Sequence, residues 1–266
     1  IDMDKYSKSL EQYFNNWGEL LPLDGFMEKV NEALTGENFV KTNSRLVFSV
    51  CPDDVNRLVN RKTIENALKD VYNSEFHLGG LGAYPIGGVS GITAASHHPP
   101  DEVNGDGRKD GNLVFFLSPH MGIIENGDFQ YGKIIRPGQE KITSSCGAMM
   151  GFLAALKEAG NVNNFKVAAD NQGTDPTRLV LQNELINNYS EELDKILEYE
   201  DEKQQVAELF KLNYDAITNK ATQMIEEFME KENDHFKGNI AVISGLTVNL
   251  PESDSFILKD LTYPKN

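Results

Sequence analysis

The chain carries only two cysteines among its 266 residues, Cys51 and Cys146. Cys51 closes the apolar run R-L-V-F-S-V-C, and Cys146 follows T-S-S at the mouth of an Ala/Met/Leu-rich segment. A histidine, His120, closes a second apolar run, N-L-V-F-F-L-S-P-H. In open α/β sheets the carboxyl ends of strands face the ligand crevice, so all three residues fall where a site is built. Two thiolates and one imidazole form a three-donor zinc set that leaves a fourth position for water or substrate. Soft sulfur beside imidazole favours zinc over magnesium or calcium. The donors are 69 and 26 positions apart, and no compact C-x-x-C pattern joins them. Two other readings stay open on these residues: structural cysteines, since free Cys is among the most buried types, and a redox dithiol pair.

The neighbours add chemistry. Cys51 continues into C-P-D-D-V-N-R. A helix opening near Pro52 would set Asp53 and Arg57 one turn apart, at ion-pair spacing. A carboxylate held by an arginine beside a metal-activated water stays ionised and accepts a hydrogen bond. The plain alternative is a helix-starting carboxylate with a surface ion pair. His97 and His98, in S-H-H-P-P-D, are candidates for a proton relay or an alternative ligand. His120 is preferred as ligand because a strand end is stiffer than a loop. His77 and His235 have no supporting context. The stretch Glu102 to Asp110 imitates the first spacings of a calcium loop, but Leu113 stands where the bidentate acid is required, which argues against an EF-hand. The glycines between 79 and 91 match neither G-x-G-x-x-G nor a phosphate loop with its lysine.

These residues need elements to hold them. Helical spacing appears around residues 10–17 and 26–36, strands over 45–51, 112–117 and 240–244, and helices from about 62, 148, 176 and 201 onward. The Gly-rich region 76–111 reads as a long loop or irregular hairpin, and the acidic stretch 191–202 as a solvated face. Strands alternating with helices predict an α/β fold with a mainly parallel sheet flanked by helices, in one domain over 1–266 with a helical extension at 1–37. The net charge of −16 argues against nucleic acid or an anionic membrane as partner, and no apolar run reaches the roughly 18 residues of a membrane span. Two cysteines are too few for a disulfide scaffold and predict a soluble protein of a reducing compartment, cytoplasmic or organellar. The chain opens on Ile, so a targeting segment would lie outside it.

Together C-P-D-D-V-N-R, S-H-H-P-P-D, S-P-H-M-G-I and S-S-C-G-A resemble the limiting-CO2-inducible protein B family over about residues 20–250. That family is similar to β-class carbonic anhydrases. The resemblance implies a β-carbonic-anhydrase-like fold, zinc held by Cys51, His120 and Cys146, and an Asp–Arg dyad placed on Asp53 and Arg57. It implies a homodimer and the reversible hydration of CO2 to bicarbonate, with a catalytically silent zinc-containing CO2/bicarbonate-binding or scaffold protein as the alternative. β-Class enzymes read C-x-D-x-R, and here the arginine position is Val55. Leu81, Tyr84 and Ile86 are the expected wall of a CO2 pocket.

Overall fold

In the computed structural model the described residues are 2–72, 74–100 and 111–265. The calcium-loop-like stretch lies outside them. An eight-stranded sheet forms the centre. The chain runs α1 (Met3–Phe14), β1 (Glu19–Pro22), α2 (Leu23–Gly36), β2 (Ser44–Val50), α3 (Ile64–Val71), β3 (Glu75–His77), α4 (Gly88–Ser96), β4 (Asn112–Ser118), β5 (His120–Asn126) and β6 (Asp128–Tyr131). There follow β7 (Lys133–Ile135), β8 (Ile142–Ser144), α5 (Gly147–Ala159), α6 (Pro176–Asn188), α7 (Ser190–Glu198), α8 (Glu202–Lys231), β9 (Ile240–Asn249) and β10 (Asp254–Thr262). The main path is β1-β10-β9-β4-β2-β3, with β5 beside β9 and β6 beside β5. The central pairs β3–β2, β2–β4, β4–β9 and β5–β9 are parallel; β10 and β1 add an antiparallel edge.

Strand residues alternate between faces, and here both faces are apolar. Leu46, Phe48, Val114, Phe116, Ala241 and Ile243 pack with Phe26 and Leu68 on one side. Val47, Phe115 and Val242 pack with Ile92, Ile225 and Phe228 on the other. That two-sided burial is why β2 and β4 read as continuous apolar runs rather than alternating ones.

Three features differ from the sequence reading. The amino-terminal segment is not purely helical: Glu19–Pro22 adds an edge strand to β10. The Gly-rich region contains β3 and α4. Gly91 allows close packing there, for a Cβ on it would lie 2.8 Å from Leu78 Cδ1. Within the acidic stretch Leu193 and Ile196 are buried on α7, so only part of it is a solvated face.

His120 does not end a strand run. Leu117 pairs with Ser244 and His120 with Thr247, so β4 and β5 follow β9 in one register across Pro119. At the break the Thr247 N–H donates to the Pro119 carbonyl at 3.0 Å and to Ser118 Oγ at 3.0 Å. Proline has no N–H to give, and the Thr247 N–H opposite it is satisfied by these two acceptors.

Gly122 on β5 is where a distant loop closes on the sheet. Its N–H donates to the Ser145 carbonyl at 2.8 Å, Ser145 N–H to the Gly132 carbonyl at 2.9 Å, and Gly132 N–H to the Gly122 carbonyl at 2.8 Å. A Cβ at 122 would stand 2.6 Å from the Lys133 carbonyl oxygen and 2.9 Å from Ser145 Cβ. Gly122→Ala is therefore expected to cost about 1–3 kcal/mol as an overpacking change, read as a lower urea midpoint; wild-type stability would mean the loop does not lie against this strand.

Candidate metal centre

The parallel register sets two of the three donors level. Val50 pairs with Ser118, so Cys51 leaves β2 beside the Pro119 break and His120 follows immediately. Cys51 is presented by a clamped turn. Its carbonyl accepts from Asn56 Nδ2 at 3.3 Å and Arg57 Nη2 at 3.2 Å, and the Pro52 carbonyl accepts from Arg57 Nη1 at 2.8 Å. Gly79 allows the neighbouring chain to press on this strand end, since a Cβ there would be 2.5 Å from the Val50 backbone. Cys146 arrives with the loop docked on Gly122 and stands at the amino-terminal cap of α5, where the helix dipole favours a thiolate.

The donor atoms of Cys51, His120 and Cys146 all lie within 4.8 Å of one another, and all three residues are buried. The two sulfurs are 3.7 Å apart. Without a cation, like charges at that distance resist ionising together. The Cys51 thiol is accordingly pulled down, first by its hydrogen bond with Cys146 and further by His120. The Cys146 thiol is pushed up by the same bond and by burial. His120 Nδ1 lies 2.7 Å from Asn249 Oδ1, whereas Nε2 is buried with no hydrogen-bond partner among the described residues. An orphaned ring nitrogen facing two thiols that cannot both ionise is a donor set that fits a soft divalent cation.

A carboxylate stands beside this set. Asp53 Oδ2 is 3.9 Å from His120 Nε2, and its side chain is 10% exposed. Burial alone would raise its pKa, but the charges of His120 and Arg136 and the bonds from Arg136 and the Val55 N–H outweigh that, so Asp53 is held below the ordinary carboxylate value. Arg136 Nη2 donates to both Asp53 oxygens, at 2.8 and 2.9 Å, while its Nε donates to Asp54 at 3.1 Å. The same side chain bonds Thr143 Oγ1 and approaches the Ser144 carbonyl at 3.4 Å. Arg136 thus ties the Cys51 turn to the loop carrying Cys146.

Arg57 does not hold Asp53 as the spacing suggested. Residues Asp54–Arg57 form a 3₁₀ turn with Asp53 as its cap. At three residues per turn, positions four apart no longer share a face. Arg57 instead pairs with buried Glu65 at 3.2 Å and donates to the backbone carbonyls of the turn. Arg136 left no comparable signal in I-I-R-P-G; only the docking of the β7–β8 hairpin brings it to Asp53.

His97 and His98 are not part of the centre. Both are exposed at the carboxyl end of α4. The His98 carbonyl accepts from Arg45 Nη1 at 2.9 Å, near the start of β2. Six residues of strand, about 20 Å at roughly 3.3 Å each, separate Arg45 from Cys51. His97 faces Glu232 at 3.8 Å. Of the expected apolar wall, Tyr84 packs in the cluster that holds both cysteines, together with Ala83 and Met149, whereas Ile86 is 41% exposed.

The family described as limiting CO2-inducible proteins B/C β-carbonic anhydrases matches residues 20–263. The chain belongs to this family. No curated protein matches it. Its fold is similar to the crystal structure of PtLCIB4, a homolog of the limiting CO2-inducible protein LCIB, with a TM-score of 0.75, 23% identity, and 98% of this chain and 99% of that chain covered. It is also similar to the crystal structure of LCIB itself, with a TM-score of 0.65, 22% identity and 97% of each chain covered. Family membership and the mostly parallel sheet agree with the fold expected from sequence. Among the described residues no helix is long and apolar enough to cross a membrane.

The protein is expected to bind about one thiophilic divalent cation per chain, measured by equilibrium dialysis and elemental analysis. Affinity should fall as pH is lowered, because binding displaces thiol protons. Cys146→Ser should lose the ion, and stoichiometric retention would remove Cys146 from the donor set.

Proposed function

We propose that this chain is a zinc-dependent carbonic anhydrase, catalysing CO2 + H2O ⇌ HCO3⁻ + H⁺. The observation that carries the reading is the buried Cys51–His120–Cys146 donor set with an arginine-held carboxylate 3.9 Å from its imidazole. Zinc bound by these three residues supplies the charge that lowers the pKa of water from about 15.7 to about 7. Two thiolates offset the formal charge of the ion, which leaves more of the work to the surrounding residues.

Asp53 is the group that orients the nucleophile. Ionised and fixed by Arg136, it is an acceptor only. It takes the hydrogen bond of the attacking oxygen and leaves that oxygen's lone pair free for the carbon of CO2. Arg136 fills the role that the motif spacing assigned to Arg57. It is supplied from the β7–β8 hairpin rather than from the position occupied by Val55. Ala83 and Tyr84, packed in the cluster around the cysteines, are the non-polar side on which CO2 would rest, and the released proton passes to solvent.

Family membership also supports a homodimer, which sedimentation equilibrium tests: twice the chain mass supports it and a single chain mass rejects it. The reduced thiol pair suits the cytoplasm or an organelle with a reducing interior.

The reading is tested by stopped-flow CO2 hydration with a pH indicator on zinc-verified protein. Asp53→Ala is expected to keep zinc and lose hydration; full activity would reject its role. Arg136→Ala should lower kcat by about 10–100-fold, and Arg136→Lys should restore little, because an ammonium cannot span Asp53 and Asp54 as the guanidinium fork does. Val55 at the motif's arginine position is the one feature favouring the silent alternative. A wild-type rate no greater than the uncatalysed one, with zinc present, would establish that alternative.

A further inference from the structure

We infer that Asn249 is a positioning residue that sets which nitrogen of His120 faces the metal. The inference rests on the metal-centre reading above and concerns groups that the reaction itself does not use. Asn249 is fully buried at the end of β9. Its Oδ1 lies 2.7 Å from His120 Nδ1 and accepts from Ser145 Oγ at 3.3 Å, and its Nδ2 donates to Asn56 Oδ1 at 3.2 Å and Asp254 Oδ1 at 3.0 Å. Every hydrogen-bonding position of the amide is thereby filled.

The direction of these bonds follows from the two ends of the network. At one end the Cys51 carbonyl can only accept, so the Asn56 amide group must turn its NH2 there, at 3.3 Å, and its oxygen toward Asn249. At the other end Asp254 is a buried carboxylate gripped by Arg61 Nη2 at 2.9 Å and by the Ile64 N–H at 3.0 Å. Both side chains of that ion pair are only 1% exposed. Burial pushes the Asp254 carboxyl up, but each of its oxygens already accepts from a fixed N–H donor, of Arg61 or of Ile64, so it meets Asn249 as an acceptor. Both ends therefore demand that Asn249 present its NH2 to them and its oxygen to His120. A flipped amide would place its oxygen 3.0 Å from the Asp254 carboxylate and its NH2 against the imidazole.

An acceptor at Nδ1 requires a proton on Nδ1. In the neutral ring the lone pair then lies on Nε2, the nitrogen that has no hydrogen-bond partner among the described residues, in a residue whose ligand atom lies within 4.8 Å of both sulfurs. The network thus selects one tautomer of the neutral ring and ties the His120 ring to the carbonyl of Cys51, a second donor residue. Sequence spacing could not show this, since Asn56, Asn249 and Asp254 come from three separate elements.

The test is ¹⁵N-histidine NMR of the zinc-loaded full chain, together with zinc affinity by chelator competition. The proposal expects His120 to keep its proton on Nδ1 with zinc on Nε2; a proton on Nε2 with zinc on Nδ1 overturns it. Asn249→Leu, folded by cooperative thermal unfolding, is expected to bind zinc about 10–100-fold more weakly, and an affinity within twofold of wild type overturns the proposal. Should that variant fail to fold, the NMR assignment on the unaltered chain decides. Wild-type protein that binds no zinc would refute the metal reading and this proposal with it, whereas zinc binding without CO2 hydration refutes only the proposed activity and leaves the positioning role standing.

Discussion

Two sulfurs 3.7 Å apart, sealed from solvent beside an unpartnered imidazole nitrogen, set the constraint on which the structure turns. Such an arrangement is electrostatically incomplete. One thiol can ionise at the expense of the other, but both cannot without a positive charge among them. The surrounding protein nonetheless holds them together with many bonds: the Asn56 and Arg57 clamp on the Cys51 turn, the backbone triangle of Gly122, Gly132 and Ser145, and the saturated amide of Asn249. Three buried donors held together by this many bonds could hold a cation.

The same economy explains the arginines. Among the described residues three guanidinium groups stand near the centre, and each does different work. Arg57 fixes backbone carbonyls and neutralises buried Glu65. Arg61 neutralises buried Asp254, and through it orients Asn249. Arg136 alone meets the carboxylate nearest the donors. A buried charge left without a partner is expensive, so these pairings are not interchangeable, even though all three side chains lie within one small region. Asp54, adjacent to Asp53 but 66% exposed, shares Arg136 without sharing the buried environment that makes Asp53 chemically distinct.

Loops rather than core elements carry the departures from a β-class motif. Val55, at the arginine position of C-x-D-x-R, is fully buried and packs with Ile124 and Ile134 beneath the β7–β8 hairpin. An apolar residue there anchors the hairpin, and the hairpin in turn delivers Arg136. The exchange of Arg for Val at one position and the arrival of an arginine from another are thus parts of one local arrangement.

By itself the sequence determined the α/β class and the two-sided burial of the central strands, because apolar runs are local signals, and it singled out Cys51, His120 and Cys146 as candidate donors. It also marked Asp53, which follows Cys51 by two positions. The partner of Asp53 was decided only by tertiary structure: a 3₁₀ turn instead of an α-helix rotated Arg57 away, and a hairpin more than 80 positions distant supplied Arg136. The exclusion of His97 and His98, the helix within the Gly-rich region and the edge strand at Glu19–Pro22 were likewise settled by packing. Periodicity records how a segment meets the core, whereas a contact between side chains far apart in the chain depends on the register and docking of whole elements, which no short stretch of sequence encodes.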